Sequence, residues 1–290
     1  MKFENVRVYN FENSLRGMRN PKNSWDLSDS YFNITDDYDE GILDVADAWI
    51  LQDHPEWDEY EDTKEYLDLQ DKYCDWLITN GTLKESKNYD YKEVAYIGPK
   101  DMHLAQLLIR SGPEHRKFLR QIFVSVDITA PLYWWKEADT YKVGTVANST
   151  STMHKLAEYP ITAECFEMGD YDGSLKVFQF DKEPCDKDFT VNNAWKELIN
   201  VCETLRQRYN ETQDVRYWKE LVRILPNGWL QTRTVTMNYE NLLSICSKGQ
   251  RRFHKLSEWR NDFINWARKL PYANQLIFID EQASKDFSLN

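Results

Sequence analysis

The chain reads as an α/β (α+β) protein, a mixed or antiparallel sheet packed by helices. Three observations predict this. The segments "IFVSVDI" (122–128) and "LQTRTVT" (230–236) are rich in β-branched residues and alternate, as strands do. Trp195, Leu198, Cys202 and Leu205 recur at three- and four-residue spacing, the stripe of a helix with one buried face. No internal repeat and no Gly/Ser- or Pro-rich linker divides the 290 residues, so strands and helices belong to one mixed chain.

Taken in order, residues 36–81 read as an acidic, helical elaboration. Tyr66, Leu69, Tyr73, Trp76 and Leu77 mark its apolar face, and Gly81 is its expected stop. This segment is either a solvated amphipathic helix or an electrostatic surface for a partner. "KDMHLAQLLIRSG" (100–112) predicts a helix closed by Gly112. "SLKVFQF" (174–180) predicts a further strand after the turn signal Asp172-Gly173. Asp214 to Leu225 continues helically until Pro226, and Asn238 offers an N-cap to a helix carrying Leu242, Leu243 and Ile245. Trp259, Phe263 and Trp266 predict a last amphipathic helix. The expected organisation is an N-terminal region over 1–99 that includes the elaboration at 36–81, a core over 100–275 and a tail over 276–290.

The charge is uneven. The net charge is −12, yet residues 36–71 alone hold fifteen Asp/Glu against Lys64, a local −14. The rest of the chain sums to about +2, so its body is free to bind anions. There is no basic run or RNP-like motif, so no nucleic-acid partner is expected. No stretch approaches the roughly 20 apolar residues of a membrane helix, and the mean hydropathy is −0.71. The opening "MKFENVRVYNFENS" has no apolar leader core, which predicts a cytoplasmic protein. Five scattered cysteines without a CxxC pair read as free thiols. With no HxH or HxxxH either, no metal site is expected.

One stretch stands out. "TYKVGTVANSTSTMH" (140–154) holds six Ser/Thr hydroxyls, Tyr141, Lys142 and His154, and no acid. It is either an ordinary polar loop or a cradle of donors for an anionic group such as a phosphate. Trp134 and Trp135 precede it, placed to stack on a ring or to fill the core.

Together with 111–128 and 223–260, this stretch resembles the flavin-dependent thymidylate synthase family. The third segment carries the best match: Arg223, Leu225 and Pro226, spaced as Arg-x-Leu-Pro, stand where that family has an Arg-x-x-Leu-Pro helix end. Thr236 and Asn238 stand ten and twelve residues past the proline, and His254, Glu258 and Arg260 fit its His-x-x-x-Glu-x-Arg motif. The family's Arg-His-Arg, seven residues, Ser signature falls on Thr140, Tyr141, Lys142 and Thr150. Only a lysine and a hydroxyl of it survive. Ser111-Gly112 fits a Ser-Gly helix end, with Arg110, Arg116, Lys117 and Arg120 around it.

The resemblance implies an enzyme that converts dUMP to dTMP by reductive methylation. Methylenetetrahydrofolate would be the one-carbon donor and NADPH-reduced FAD the hydride donor, in a homotetramer whose sites form between subunits. It implies that Asn148, Ser149, Thr150, Ser151 and Thr152 bind the nucleotide. Arg223 would bind it as well and polarise its carbonyls as the catalytic cation. Tyr141, Lys142, Asn238, His254 and Arg120 would meet FAD. The residues themselves leave plainer roles open: a helix-end cation for Arg223, a simple N-cap for Asn238, a structural histidine for His254. Glu240 stands where the family has an arginine, an acid unfavourable to a flavin pyrophosphate. A related pyrimidine-nucleotide enzyme such as a hydroxymethylase, and a non-catalytic nucleotide-binding protein, are the alternative readings.

Overall fold

The computed structural model describes residues 1–34, 38–53, 63–80, 93–141, 143–151, 155–177, 189–246 and 254–281. The chain opens with β1 (Lys2–Tyr9), α1 (Phe11–Arg19) and β2 (Tyr31–Ile34). The acidic helices α2 (Tyr38–Asp53) and α3 (Lys64–Asn80) come next, then β3 (Glu93–Tyr96) and α4 (Pro99–Arg110). β4 (Phe123–Pro131), α5 (Leu132–Ala138) and β5 (Val146–Ser149) lead to the long hairpin of α6 (Val191–Thr212) and α7 (Val215–Ile224). β6 (Leu230–Asn238) runs directly into α8 (Tyr239–Cys246). A π-helical turn, Glu258–Phe263, then continues into α9 (Ile264–Ala267), and α10 (Ala273–Leu276) follows.

Alternation in β4 and β6 builds the main sheet. They pair antiparallel over nine residues, from Phe123 opposite Asn238 to Pro131 opposite Leu230. β1 joins the far side of β4 and β5 the far side of β6, giving the order β1-β4-β6-β5. Val124, Val126, Ile128 and Ala130 of β4 all face one buried side. The residues between them, Ser125, Asp127 and Thr129, sit opposite Thr236, Thr234 and Thr232 on a polar face. One covered face and one wet face is the usual state of an antiparallel sheet. The register of β1 shifts between Glu4 and Arg7, where Asn5 takes a left-handed φ of 51°, a bulge that twists the strand.

The buried face is covered by Phe11 and Leu15 of α1, Phe118 and Leu119, Leu242 and Ile245 of α8, and the aromatic run Trp259, Phe263 and Trp266. Two smaller clusters flank this core. Leu156, Ile161, Phe166, Cys202 and Leu221 join the α6–α7 hairpin to the loop before it. Ile42, Val45, Ala46 and Tyr96 join α2 to the β2–β3 pair.

The predicted class is the observed one, and the described parts of the acidic segment form helices. It is a pair of helices rather than one, because α2 has its own apolar stripe, Ile42, Val45, Ala46 and Ile50. Tyr66 is buried as its spacing predicts, its hydroxyl donating to Asp47 at 2.9 Å. The side chains of Trp76 and Leu77, and Gly81 itself, lie outside the description. Gly112 ends α4 at a φ of 103°, which favours glycine. The expected strand over 174–180 is represented only by an isolated bridge between Lys176 and Thr190; residues 178–180 lie outside the described residues. The expected last amphipathic helix is a π turn continued by the single α-turn of α9.

Candidate functional site

α5, β6 and the π turn enclose a cavity of about 280 Å³. Its walls are largely aromatic, from Trp134, Trp135, Tyr141, Trp259 and Phe263. Trp134 and Trp259 lie 4.6 Å apart between ring centroids, and both are almost fully buried. Contacts of this kind add about 0.5–1.5 kcal/mol per pair beyond area burial, so this wall is rigid.

Among the described residues, Arg233 is the cation that lines this cavity. Alternation along β6 puts Gln231, Arg233, Val235 and Met237 on the inner face, and Arg233 is accordingly only 16% exposed. Its Nε donates to Gln231 Oε1 at 3.0 Å and its Nη1 to Asp139 Oδ1 at 2.9 Å. Its Cζ sits 4.2 Å from the centroid of the Trp135 ring. Trp135 is fixed in turn, its indole N–H donating to the Gln231 carbonyl at 2.9 Å.

The middle of the hydroxyl-rich stretch, Val146–Ser149, is one edge strand of the sheet. Val146 to Ser149 pair with Thr236 to Arg233, and Thr150 N–H donates to the Thr232 carbonyl at 2.9 Å. Directly opposed residues share a face in an antiparallel pair. Ser149 therefore stands on the Arg233 side and Ala147 on the Val235 side, with Ala147 in the cavity wall. Asn148 stands on the other face beside Thr234, and Thr150 follows it beside Thr232. With Thr150 N–H turned towards β6, the N–H groups of Ala147 and Ser149 point to the open edge.

The turn before β5 is tied to the start of α8. Asn238 and Asn241 cap each other: Asn241 N–H donates to Asn238 Oδ1 at 2.9 Å, and Asn238 N–H to Asn241 Oδ1 at 3.1 Å. Asn241 Nδ2 also donates to the Val143 carbonyl at 2.5 Å. Gly144 has a φ of 76°, and a Cβ there would stand 3.0 Å from Asn238 Nδ2, so the turn needs glycine twice over.

The charges nearby are paired. Glu240 meets Arg116, with Nε 2.9 Å from a carboxylate oxygen and both side chains mostly buried. The acid that the sequence placed against a flavin pyrophosphate is thus neutralised from the loop after α4. Glu258, in the π turn, accepts a short hydrogen bond from the Tyr133 hydroxyl. Burial, then Glu258 itself, pushes the Tyr133 phenol well above its ordinary range. Burial also raises the thiols of Cys202, Cys74, to about 11, and Cys246, to about 12. These three are poor nucleophiles. Among the described residues no group of three or more His, Cys, Asp or Glu is placed to hold a metal ion. No helix there is long and apolar enough to cross a membrane.

No family model matches the chain, and no curated protein matches it. Solved structures do. Thymidylate synthase X (ThyX) from Helicobacter pylori, in a crystal with FAD and dUMP, superposes over 97% of this chain and 98% of its own, with a TM-score of 0.52 at 13% identity. The chain has the flavin-dependent thymidylate synthase fold. Looser superpositions follow. A second Helicobacter pylori ThyX structure with FAD and dUMP covers 82% of this chain and 94% of its own, at 15% identity and a TM-score of 0.43. The UMP/dUMP methylase PolB from Streptomyces cacaoi, bound with 5-Br dUMP, covers 66% and 76% at 16% identity and a TM-score of 0.37.

Within this thymidylate synthase fold the residues singled out from the sequence are spread over several places. Tyr141 lines the cavity. His254 is not among the residues that line it; it meets the wall residue Trp259 edge-on at 6.3 Å, and its Nδ1 accepts the Leu256 N–H at 3.1 Å. Asn238 is buried, its side-chain oxygen held by the cap. Ser149 is brought beside Arg233, whereas Asn148 and Thr150 are turned to the other face. Ser151 is half-buried at the end of the strand. Arg120 is exposed and donates to the Pro113 carbonyl at 3.4 Å. Arg223 lies at the exposed end of α7, paired with Glu220 one turn back at 2.9 Å, and lines no part of the cavity. Lys142 and Thr152 lie outside the described residues.

Arg233, Asp139 and Gln231 were missed in the sequence. The signal for Arg233 was present: within "LQTRTVT" it is the one charged residue, at an inward position of the alternation.

Proposed function

We propose that the chain is a divergent flavin-dependent enzyme acting on a pyrimidine nucleotide, converting dUMP to dTMP by reductive methylation. The observation that carries this reading is the superposition on the FAD- and dUMP-bound ThyX over nearly the whole of both chains. The site chemistry supports it. The edge strand β5 offers the nucleotide phosphate a hydroxyl, Ser149, and the open N–H groups of Ala147 and Ser149. Lys142, Ser151 and Thr152 would complete the donor set of this stretch, whereas Asn148 and Thr150 stand on the strand's other face. The raised thiols suit a reaction that uses no cysteine nucleophile.

The residues present fit FAD in one respect that the sequence put in doubt, since Arg116 cancels the charge of Glu240. Tyr141, Asn238, His254 and Arg120 would hold the cofactor. When bound it supplies hydride, after reduction by NADPH, with methylenetetrahydrofolate as the one-carbon donor. Arg223 stands apart from β5 in its own subunit. In this reading it polarises the pyrimidine of a neighbouring site in a homotetramer, in the cytoplasm. The ion pair of Arg223 with Glu220 favours a second reading, a nucleotide-binding protein on the same fold without turnover.

The test is to load the purified chain with FAD and titrate it with dUMP and with deoxyuridine. The proposal expects a yellow complex of one flavin per chain. It expects dUMP to bind at least about a hundredfold more tightly than the nucleoside, the worth of two or three bonds to phosphate. A colourless protein with equal affinity for the two ligands would sink it.

A further inference from the structure

We propose that Gln231 is a positioning residue for phosphate recognition: its buried side chain clamps the end of β5 and ties the strand's placement to Arg233. The inference rests on the reading that β5 binds the nucleotide phosphate. It adds a residue that lines no part of the aromatic cavity and acts only through its neighbours.

β5 needs a clamp. It is a four-residue strand at the edge of the sheet, and its pairing ends where Ser149 opposes Arg233. Ser151 and Thr152, the hydroxyls proposed to complete the donor set, follow beyond that point. Strand ends open most readily, and a donor that moves is a poor phosphate ligand. Thr150 is where the strand is held. Its N–H donates to the Thr232 carbonyl at 2.9 Å, and its carbonyl accepts from Gln231 Nε2 at 2.9 Å. Both backbone groups of the residue between Ser149 and Ser151 are thus tied to β6.

The chemistry of the clamp calls for an amide. Arg233 Nε can only donate, and the Thr150 carbonyl can only accept. An amide carries an acceptor and a donor side by side, and one orientation of Gln231 satisfies both neighbours. Its Oε1 takes Arg233 Nε at 3.0 Å while Nε2 reaches Thr150. Gln231 is 7% exposed, so water cannot readily replace either bond. Its main chain is fixed as well, because its carbonyl accepts the Trp135 indole N–H at 2.9 Å. A glutamate of the same length would keep the bond to Arg233 and offer no donor to Thr150. A methionine would lose both bonds.

The clamp also connects two parts of the site. Asp139 holds Arg233 at 2.9 Å, and Trp135 packs against its guanidinium at 4.2 Å. Asp139, Arg233, Gln231 and Thr150 therefore form one chain of hydrogen bonds from the end of α5, through β6, to β5. A shift of Arg233 reaches the phosphate strand through a single amide. Such coupling has a signature: substitutions at Arg233 and Gln231 are not additive.

The experiment titrates the full chain with dUMP and with deoxyuridine by calorimetry, and reads the ratio of the two affinities. The variants are Gln231→Met, Gln231→Glu, Arg233→Met and the double variant Gln231→Met with Arg233→Met, with circular dichroism as the check on folding. Gln231→Met should lower the preference for dUMP by about fivefold, the worth of a hydrogen bond, while deoxyuridine changes within about twofold. Gln231→Glu should lower it by about tenfold or more, since a carboxylate then faces the Thr150 carbonyl. If Gln231→Met fails to fold, Gln231→Glu carries the test. Arg233→Met should lower the preference alone, yet change it by less than about twofold when Gln231 is already methionine. A merely structural role would weaken both ligands alike. Folded Gln231 variants that keep the wild-type preference, equal losses for both ligands, or additive effects of the two substitutions would overturn the inference and leave the proposed function standing. Equal affinities on wild type would remove the proposed function, and hydrogen exchange on the ligand-free chain would then decide the clamp. Thr150 N–H should exchange about tenfold faster in Gln231→Met and in Arg233→Met, as a freed strand end does. Unchanged exchange would overturn the clamp as well.

Discussion

Arg233 sits over Trp135, 4.2 Å from the ring centroid, and is held there by Asp139 at 2.9 Å. This contact joins the two elements that flank the aromatic cavity, β6 and α5. A largely desolvated cation–π contact contributes about 1–2 kcal/mol. Trp135→Leu should therefore destabilise the chain by about 3 kcal/mol or more, combining lost ring volume with the lost contact. Chemical denaturation of the variant checks this, and a loss below about 1 kcal/mol would mean that the contact is incidental.

The two faces of β5 make a sharper prediction. Ser149 shares the Arg233 face and Thr150 the Thr232 face. Ser149→Val should weaken dUMP about tenfold, whereas Thr150→Val should change it within about twofold. Titration of both variants decides it, and equal losses would show that the strand does not present its side chains to the ligand in this way.

How much of this was legible beforehand follows from where each signal lives. β4 and β6 were readable because β-branched residues recur at every other position, Val124, Val126 and Ile128 in one and Thr232, Thr234 and Thr236 in the other, a property local to the strand. β5 was not, because "VANS" has the composition of a loop. It is a strand only because β6 offers an unpaired edge and Asn241 pins the turn at Val143. The pairing of Glu240 with Arg116 was out of reach for the same reason, since the partners are 124 residues apart. Arg223 fitted a helix end and is one, and sequence alone had no means of placing it relative to the cavity.

A buried ion pair anchors α4 to the N-terminal region. Arg19 Nε donates to Asp101 Oδ1 at 2.6 Å, and both side chains are nearly inaccessible. Ser28 and Ser30 hydroxyls donate to the other oxygen, at 2.5 and 2.6 Å. Removing one partner strands the other charge, so Arg19→Ala should cost about 3–5 kcal/mol. Replacing both as Arg19→Met with Asp101→Leu should cost less than Asp101→Leu alone. A double-mutant cycle without coupling would refute the pair's role.

Acid should loosen the α6 region through Glu203. Bonds from Arg206 and, after the cost of burial, the Ile161 N–H hold its carboxyl down at about 2. A lowered folded-state value stabilises the chain above the ordinary carboxylate range, and the stability is lost as pH falls from about 4.5 to about 2. The loss should stay below the full worth of this shift, because solvent screens the partly exposed pair with Arg206. Glu203→Gln should be less stable at neutral pH and should flatten the acid limb of a melting curve. An unchanged limb would assign the acid sensitivity elsewhere.

The central claim is that this fold, in this chain, modifies dUMP at its C5 carbon. The most direct measurement is release of tritium to water from dUMP labelled at C5, in the presence of FAD, NADPH and methylenetetrahydrofolate. The account predicts release that requires all three, accompanied by dTMP and abolished in Arg223→Ala with the fold intact. A flavin-loaded protein that binds dUMP tightly yet releases no tritium would contradict it, and would leave a nucleotide-binding protein on an enzyme's fold.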